Sequence, residues 1–170
     1  MRLEDDRHPA PNEGHDRETA GVILPPPFVY LGGLLPGLAA DHLLGLPSLP
    51  GLAGTVGLSA AIALGLLGLA LVLIAARRFS EAGTAIPPYR PSTALVTRGL
   101  YRVSRNPIYL GFALIYLALM AGFASLGALV LLPVVLLVME FGVIRREERY
   151  LERRFGQPYR DYRARVRRWF

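Results

Sequence analysis

Twenty-six consecutive residues, Gly51 to Ala76, carry no charge. Coiled into an α-helix at about 1.5 Å per residue they reach roughly 39 Å, more than the hydrocarbon core of a bilayer at about 30 Å. A run of this length and apolarity is the signature of a transmembrane helix. It obliges the rest of the chain to keep its polar groups at the ends of apolar segments. The composition agrees, because 52% of the 170 residues are hydrophobic while 19% are charged. Such a balance is workable only if the two kinds are segregated.

Two further apolar stretches follow the same logic. The first covers about Val22 to Leu46 and contains Pro25, Pro26, Pro27 and Pro36. Prolines suit the first turn of a helix, whereas Pro36 predicts a kink. Pro47, Ser48, Pro50 and Gly51 punctuate the turn into the second segment. The other stretch, Pro107 to Ile144, is too long for one ordinary span, since as a single helix it would reach about 57 Å. Gly122, Ala124, Ser125 and Gly127 mark where it folds back. The fold class is therefore an all-α integral membrane protein with about four transmembrane helices. Gly57, Gly65, Gly68, Gly111 and Gly122 are the small residues that let helices approach closely in lipid.

Arginine placement sets the orientation. All 19 basic residues are Arg: three lie in the N-terminal tail, six between Arg77 and Arg105, and ten from Arg145 onward. The turns near residues 47–50 and 122–127 carry none. By the positive-inside rule both termini and the central connector face the cytoplasm. The net charge of +6 then reflects topology and contact with anionic headgroups, and no nucleic acid partner is implied. Cysteine is absent, which excludes disulfides, thiolate chemistry and Cys-based metal sites. Residues 1–20 are acidic and almost free of apolar side chains, the composition of a disordered cytoplasmic tail. They lack the basic start and apolar stretch of a cleavable signal peptide. His8 and His15 in this tail read as solvated.

The polar residues that bracket the third stretch form the candidate site. At its start the chain reads S-R-N-P-I-Y-L-G, from Ser104 to Gly111. Asn106 is a good N-cap and Pro107 a good first helical residue, so capping alone explains the pair. The same helix start also offers free N–H groups and a positive dipole end to an anionic ligand group. Tyr109 and Gly111 line its first turn. At the other end Glu147 and Glu148 follow Arg145 and Arg146, and a closed hairpin brings both carboxylates opposite the R-N-P turn, where they can grip a cation. Arg149, Glu152, Arg153 and Arg154 read as a solvated face with helical salt bridges. Gly156 and Pro158 end this helix. Beyond them Tyr159, Tyr162, Val166 and Trp169 recur at helical spacing among five arginines, a pattern that predicts a basic amphipathic helix lying on the bilayer. Glu140, inside the fourth apolar segment, faces a cavity or reaches the interface to meet an Arg such as Arg145. Asp41 and His42 fall at the opposite interface.

Taken in order, G-T-A-I-P-P, then L-V-T-R-G-L-Y-R-V-S-R-N-P-I-Y-L-G, an apolar hairpin, and E-E-R-Y-L-E-R-R-F-G-Q-P-Y-R-D-Y-R-A-R-V resemble the isoprenylcysteine carboxyl methyltransferase and phospholipid methyltransferase superfamily of integral membrane enzymes. The resemblance covers roughly residues 77–168. It implies a bacterial inner-membrane member with a methyltransferase domain over 21–170, whose cofactor-binding part is about 77–170. It also implies S-adenosylmethionine as methyl donor. Arg105, Asn106, Pro107, Tyr109 and Gly111 would form one wall of its site, and Glu147 and Glu148 the other. Tyr159, Tyr162 and Arg165 match the C-terminal elements of the family. Among these, Glu148, Tyr162 and Arg165 are the candidates for catalysis, with Arg165 contacting an acceptor carboxylate or phosphate.

The implied acceptor is lipophilic or lipid-like, with carboxylate O-methylation favoured over a phospholipid amine or a small thiol. Asn106 stands where the eukaryotic prenylcysteine enzymes have His, and Arg167 and Arg168 replace their prolines, which points away from a prenylated protein. A carboxylate or thiolate acceptor needs no general base, whereas an amine must first lose a proton. The chemistry requires no metal ion. Two readings of other classes are an NADPH-dependent membrane reductase, which shares a related architecture but has a longer set of helices, and a non-catalytic membrane subunit.

Overall fold

A computed structural model describes residues 19–170. Most of the expected disordered tail, with His8 and His15, lies outside the described residues. Among the described residues the secondary structure is entirely helical. Helix α1 spans Pro26–Leu44, α2 Thr55–Glu81, α3 Pro107–Gly122 and α4 Leu126–Val138. A π-helical turn, Met139–Ile144, then runs without a break into α5, Arg145–Phe155, and α6 covers Gln157–Arg165. A short 3-10 turn, Gly99–Arg102, lies in the connector between α2 and α3.

Among the described residues two helices are long and apolar enough to cross a membrane: Thr55–Glu81, and the continuous rod Leu126–Phe155. Helix α3 is apolar but shorter. The third apolar stretch reverses where its small residues predict, with Ser125 capping α4 by accepting a hydrogen bond from the Ala128 N–H. Helix α1 continues through Pro36.

The helices pack as two pairs, α2 along α3 and α1 along α4. Both pairs depend on small residues. A methyl group on Gly111 would sit 2.6 Å from Val72 Cγ2 and 2.8 Å from the Gly68 carbonyl oxygen, so only glycine lets α2 and α3 touch there. Gly37 does the same for α1, with the Ala128 amide nitrogen 2.6 Å from where a Cβ would lie. Between the pairs, Tyr30, Leu34, Tyr116, Met120, Val135 and Met139 form the main core. A second aromatic cluster, Tyr101, Tyr159 and Tyr162 around Ala75, sits below the ends of α2 and α3.

The C-terminal segment departs from the amphipathic helix expected on the bilayer. Tyr159 and Tyr162 point inward, 1% and 5% exposed, and α6 ends at Arg165. Val166 is extended, and Trp169 packs against the main core. Burial of two aromatic rings outweighs interfacial contact for this segment. The break that allows it is Gly156, whose φ of +58° and ψ of −126° suit glycine and turn α6 away from α5.

Candidate active site

The π-helical turn is where the site begins. Its wider winding suits residues five apart, and Arg145 Nε donates to Glu140 Oε1 at 2.8 Å. The same turn leaves the Gly142 carbonyl free to accept the Ile23 N–H, tying the segment before α1 to the rod. Helix α5 then opens with Glu147 and Glu148 on the side facing the start of α3.

Across from them, Asn106 occupies the N-cap position of α3, but its side chain does not cap the helix. It donates from Nδ2 to the Arg168 carbonyl at 3.1 Å, while its own N–H is satisfied by Ser104 Oγ. Pro107 takes the first helical position, as its fixed φ favours. The two walls meet in two contacts. The Tyr109 phenol donates to Glu147 at 2.5 Å, and Arg105 Nη2 lies 3.1 Å from Glu148 Oε1. Arg168 also reaches Glu148, donating from Nε at 2.9 Å and from Nη2 at 2.6 Å, and its Nη1 donates to Glu140 at 2.6 Å.

Arg105, Asn106, Tyr109, Glu147, Glu148, Tyr159 and Tyr162 all line one cavity of about 410 Å³. That size is in the range of small-molecule sites. Most of the remaining lining is apolar: residues 25–28 at the start of α1, 85–89 and 94–96 of the connector, and Ile108, Phe112 and Leu151. Among the described residues Arg105 is the one arginine lining it. Its Nε and Nη1 are buried and have no hydrogen-bond partner, a costly state for a guanidinium. These orphaned donors fit an anionic ligand group, and Glu147 fits a cationic one.

Glu147 is the titratable group tuned most usefully. Desolvation raises its pKa to about 7, against the lowering effect of the Tyr109 hydrogen bond, and the neighbouring Glu148 charge adds to the rise. Burial pushes the Tyr159 phenol up to about 12 and also raises Tyr162. The Tyr162 hydroxyl is committed to the Tyr101 carbonyl at 2.8 Å, so it holds the connector in place.

Three residues expected at the site fall elsewhere. Gly111 is in the α2–α3 crossing, where the neighbour it admits is a helix. Pro107 is buried behind the cavity wall. Arg165 is exposed on α6 and donates to the Asp161 carbonyl. Its position in sequence matches a family element, but the helical turn directs it away from the cavity. The reverse applies to Arg168, which no pattern distinguishes among ten C-terminal arginines and which the chain's return brings onto Glu148. Tyr101 and Tyr150 also line the cavity without a sequence signal. The Tyr150 hydroxyl accepts the Ser92 N–H at 2.8 Å and so anchors the connector over α5.

No curated protein and no solved structure matches the chain. The family model for phospholipid methyltransferase does, over residues 56–158, which is more than half of the chain and takes in α2, both walls of the cavity and α5. The chain therefore belongs to the phospholipid methyltransferase family, a family of membrane methyltransferases within the isoprenylcysteine and phospholipid methyltransferase superfamily.

Proposed function

We propose that this protein transfers a methyl group from S-adenosylmethionine to a lipophilic acceptor at the cytoplasmic face of a bilayer. In this reading α1, α2, α3 and the α4 rod all cross the membrane, with both termini in the cytoplasm as the arginine distribution favours. One observation carries the proposal. A largely apolar cavity contains, at its polar end, an arginine with two buried, unpartnered nitrogens beside a carboxyl group held by a neutral phenol. That pair is complementary to the zwitterionic amino acid part of the donor.

When bound, the donor supplies a methyl group on positively charged sulfur, which passes to the acceptor as the carbon–sulfur bond breaks. The residues of the chain do the rest. Arg105 would hold the donor carboxylate through a charge-assisted hydrogen bond from its unpartnered Nη1. Glu147, kept in place by Tyr109, holds the ammonium. Residues 25–28 and 85–89 enclose the acceptor's apolar tail and exclude water. Most of the acceleration then comes from holding donor and acceptor in line.

The acceptor nucleophile has two readings. A carboxylate needs no base, but the arginine expected to meet it, Arg165, lies outside the cavity. An amine headgroup must first lose its proton to a group other than Glu147, which is engaged with the donor ammonium. Calorimetric titration of the purified protein in detergent with S-adenosylmethionine, S-adenosylhomocysteine and NADPH tests the donor. Saturable binding of the first two is the expected result, and binding of NADPH alone would replace the proposal with a reductase. Incubation with labelled donor and a lipid extract, followed by mass identification of the product, then separates amine from carboxylate.

A further inference from the structure

Arg167 and Arg168, beyond the end of α6, tie the two walls of the site together. Their backbone serves the R-N-P side: the Arg167 carbonyl accepts the Arg105 N–H at 3.0 Å, and the Arg168 carbonyl accepts Ser104 Oγ at 3.2 Å and Asn106 Nδ2 at 3.1 Å. The Arg168 side chain serves the opposite side, gripping Glu148 with two nitrogens and Glu140 with the third. The carboxylates are largely shielded, with side chains 12% exposed at Glu148 and 18% at Glu140. An arrangement of this kind differs from a surface ion pair, because removing one partner strands charge in a poorly solvated place.

The accounting at Glu148 carries the argument. Its Oε1 receives Arg105 and Arg168, and its Oε2 receives Arg168. Two guanidinium groups already neutralise it, so Glu148 is a poor ligand for a third cation. Glu147 accepts from a neutral phenol and opens into the cavity. The two adjacent glutamates therefore have different tasks.

We infer that Arg168 is a positioning residue for donor binding: it locks Glu148 as a strut that orients Arg105, and so leaves Glu147 as the carboxylate that meets the donor ammonium. The inference rests on the methyl-donor reading of the cavity and adds to it a division of labour between the glutamates and a role for the C-terminal arm. With Arg168 absent, Glu148 keeps only its single contact with Arg105, and Arg105 turns its free nitrogens toward that carboxylate and away from the cavity. Glu140 keeps Arg168 aligned from below. Lysine at this position supplies charge without the planar fork, so it serves one carboxylate at a time.

The test uses the full chain in detergent, with S-adenosylhomocysteine as probe and calorimetry as readout. Arg168→Ala is expected to weaken binding about tenfold or more, and Arg168→Lys to recover part of that loss. Glu140→Gln is expected to weaken binding about threefold by loosening Arg168. The melting temperature of each unliganded variant is measured alongside. Unchanged affinity in Arg168→Ala, even with a lowered melting temperature, overturns the inference. Tighter binding also overturns it, because Arg168 would then be a competitor for the cation site. Should Arg168→Ala fail to fold, Arg168→Lys and Glu140→Gln decide, and wild-type affinity in both refutes the positioning role. A wild-type protein that binds neither donor nor product sinks the methyl-donor reading itself, whereas binding by wild type and Arg168→Ala alike sinks the arm alone.

Discussion

The phenol of Tyr109 donates a 2.5 Å hydrogen bond to Glu147, joining the first turn of α3 to the first turn of α5. This bond links the two sequence motifs across an apolar hairpin of more than thirty residues. It also opposes the desolvation that raises the Glu147 pKa. Tyr109→Phe removes the bond and leaves the ring. Glu147 then titrates above its present value of about 7, and less of it is ionised at neutral pH. Affinity for S-adenosylhomocysteine is expected to fall about three- to tenfold at pH 7 and to recover partly at about pH 8.5. Calorimetry at the two pH values checks this, and an equal loss at both would show that the phenol acts by contact alone.

The same carboxyl group gives opposite pH dependences for binding and for stability. A cation needs the ionised form, so ligand affinity rises with pH through about 7. For stability, the folded pKa lies above the unfolded value, so the folded state holds a proton that the unfolded state has lost. Glu147's favourable contribution is complete below about pH 4.5 and is lost as pH rises through about 7, on the order of 1 to 3 kcal/mol. Without ligand, the melting temperature is therefore expected to fall between about pH 5 and about pH 8, and Glu147→Gln to flatten that fall. A steeper decline in the variant would assign the pH dependence to another group.

Arg165 and Arg168 show where the sequence ceased to be legible. The segregation of apolar and charged residues was enough to place the helices, and the reversal at Gly122 to Ser125 followed from small and polar residues within an apolar run. The pairing of the R-N-P turn with Glu147 and Glu148 was legible because a hairpin returns its ends to one place. The C-terminal segment was not, because its periodicity served equally for a helix on the bilayer and for one that buries its tyrosines. Gly156 decided between them, and a φ of +58° is invisible in the sequence. Gly111 was ambiguous for a similar reason, since a glycine admits a ligand or a neighbouring helix equally well.

That difference yields a direct comparison. Arg165 is exposed and bonded only locally to the Asp161 carbonyl, so Arg165→Ala is expected to change affinity for S-adenosylhomocysteine by less than about twofold. An exposed arginine near a headgroup region can still attract anionic lipid, so binding to vesicles rich in anionic phospholipid is expected to weaken slightly. A loss of donor affinity of about tenfold would return Arg165 to the site.

At the far end of α1, Asp41 joins that helix to the start of α4. Its Oδ1 accepts the Gly127 N–H at 2.7 Å, and its Oδ2 accepts the Ser125 hydroxyl. Ser125 in turn accepts the Ala128 N–H at 2.9 Å, so one carboxylate and one hydroxyl together satisfy two donors in the first turn of α4. The close approach of Gly37 to Ala128 leaves no room for a bulky replacement. Asp41→Ala leaves the Gly127 donor unpaired and is expected to cost about 1 to 3 kcal/mol. Asp41→Asn keeps one acceptor oxygen and is expected to lose less than half as much. The cavity lies at the other end of α1, beside Phe28, about 20 Å along the helix. Donor affinity should therefore match wild type in both variants, while denaturant titration in detergent reports the loss of stability. Equal stability of Asp41→Ala and wild type would mean that the α1–α4 pair is held by close packing at Gly37 and Gly127 alone.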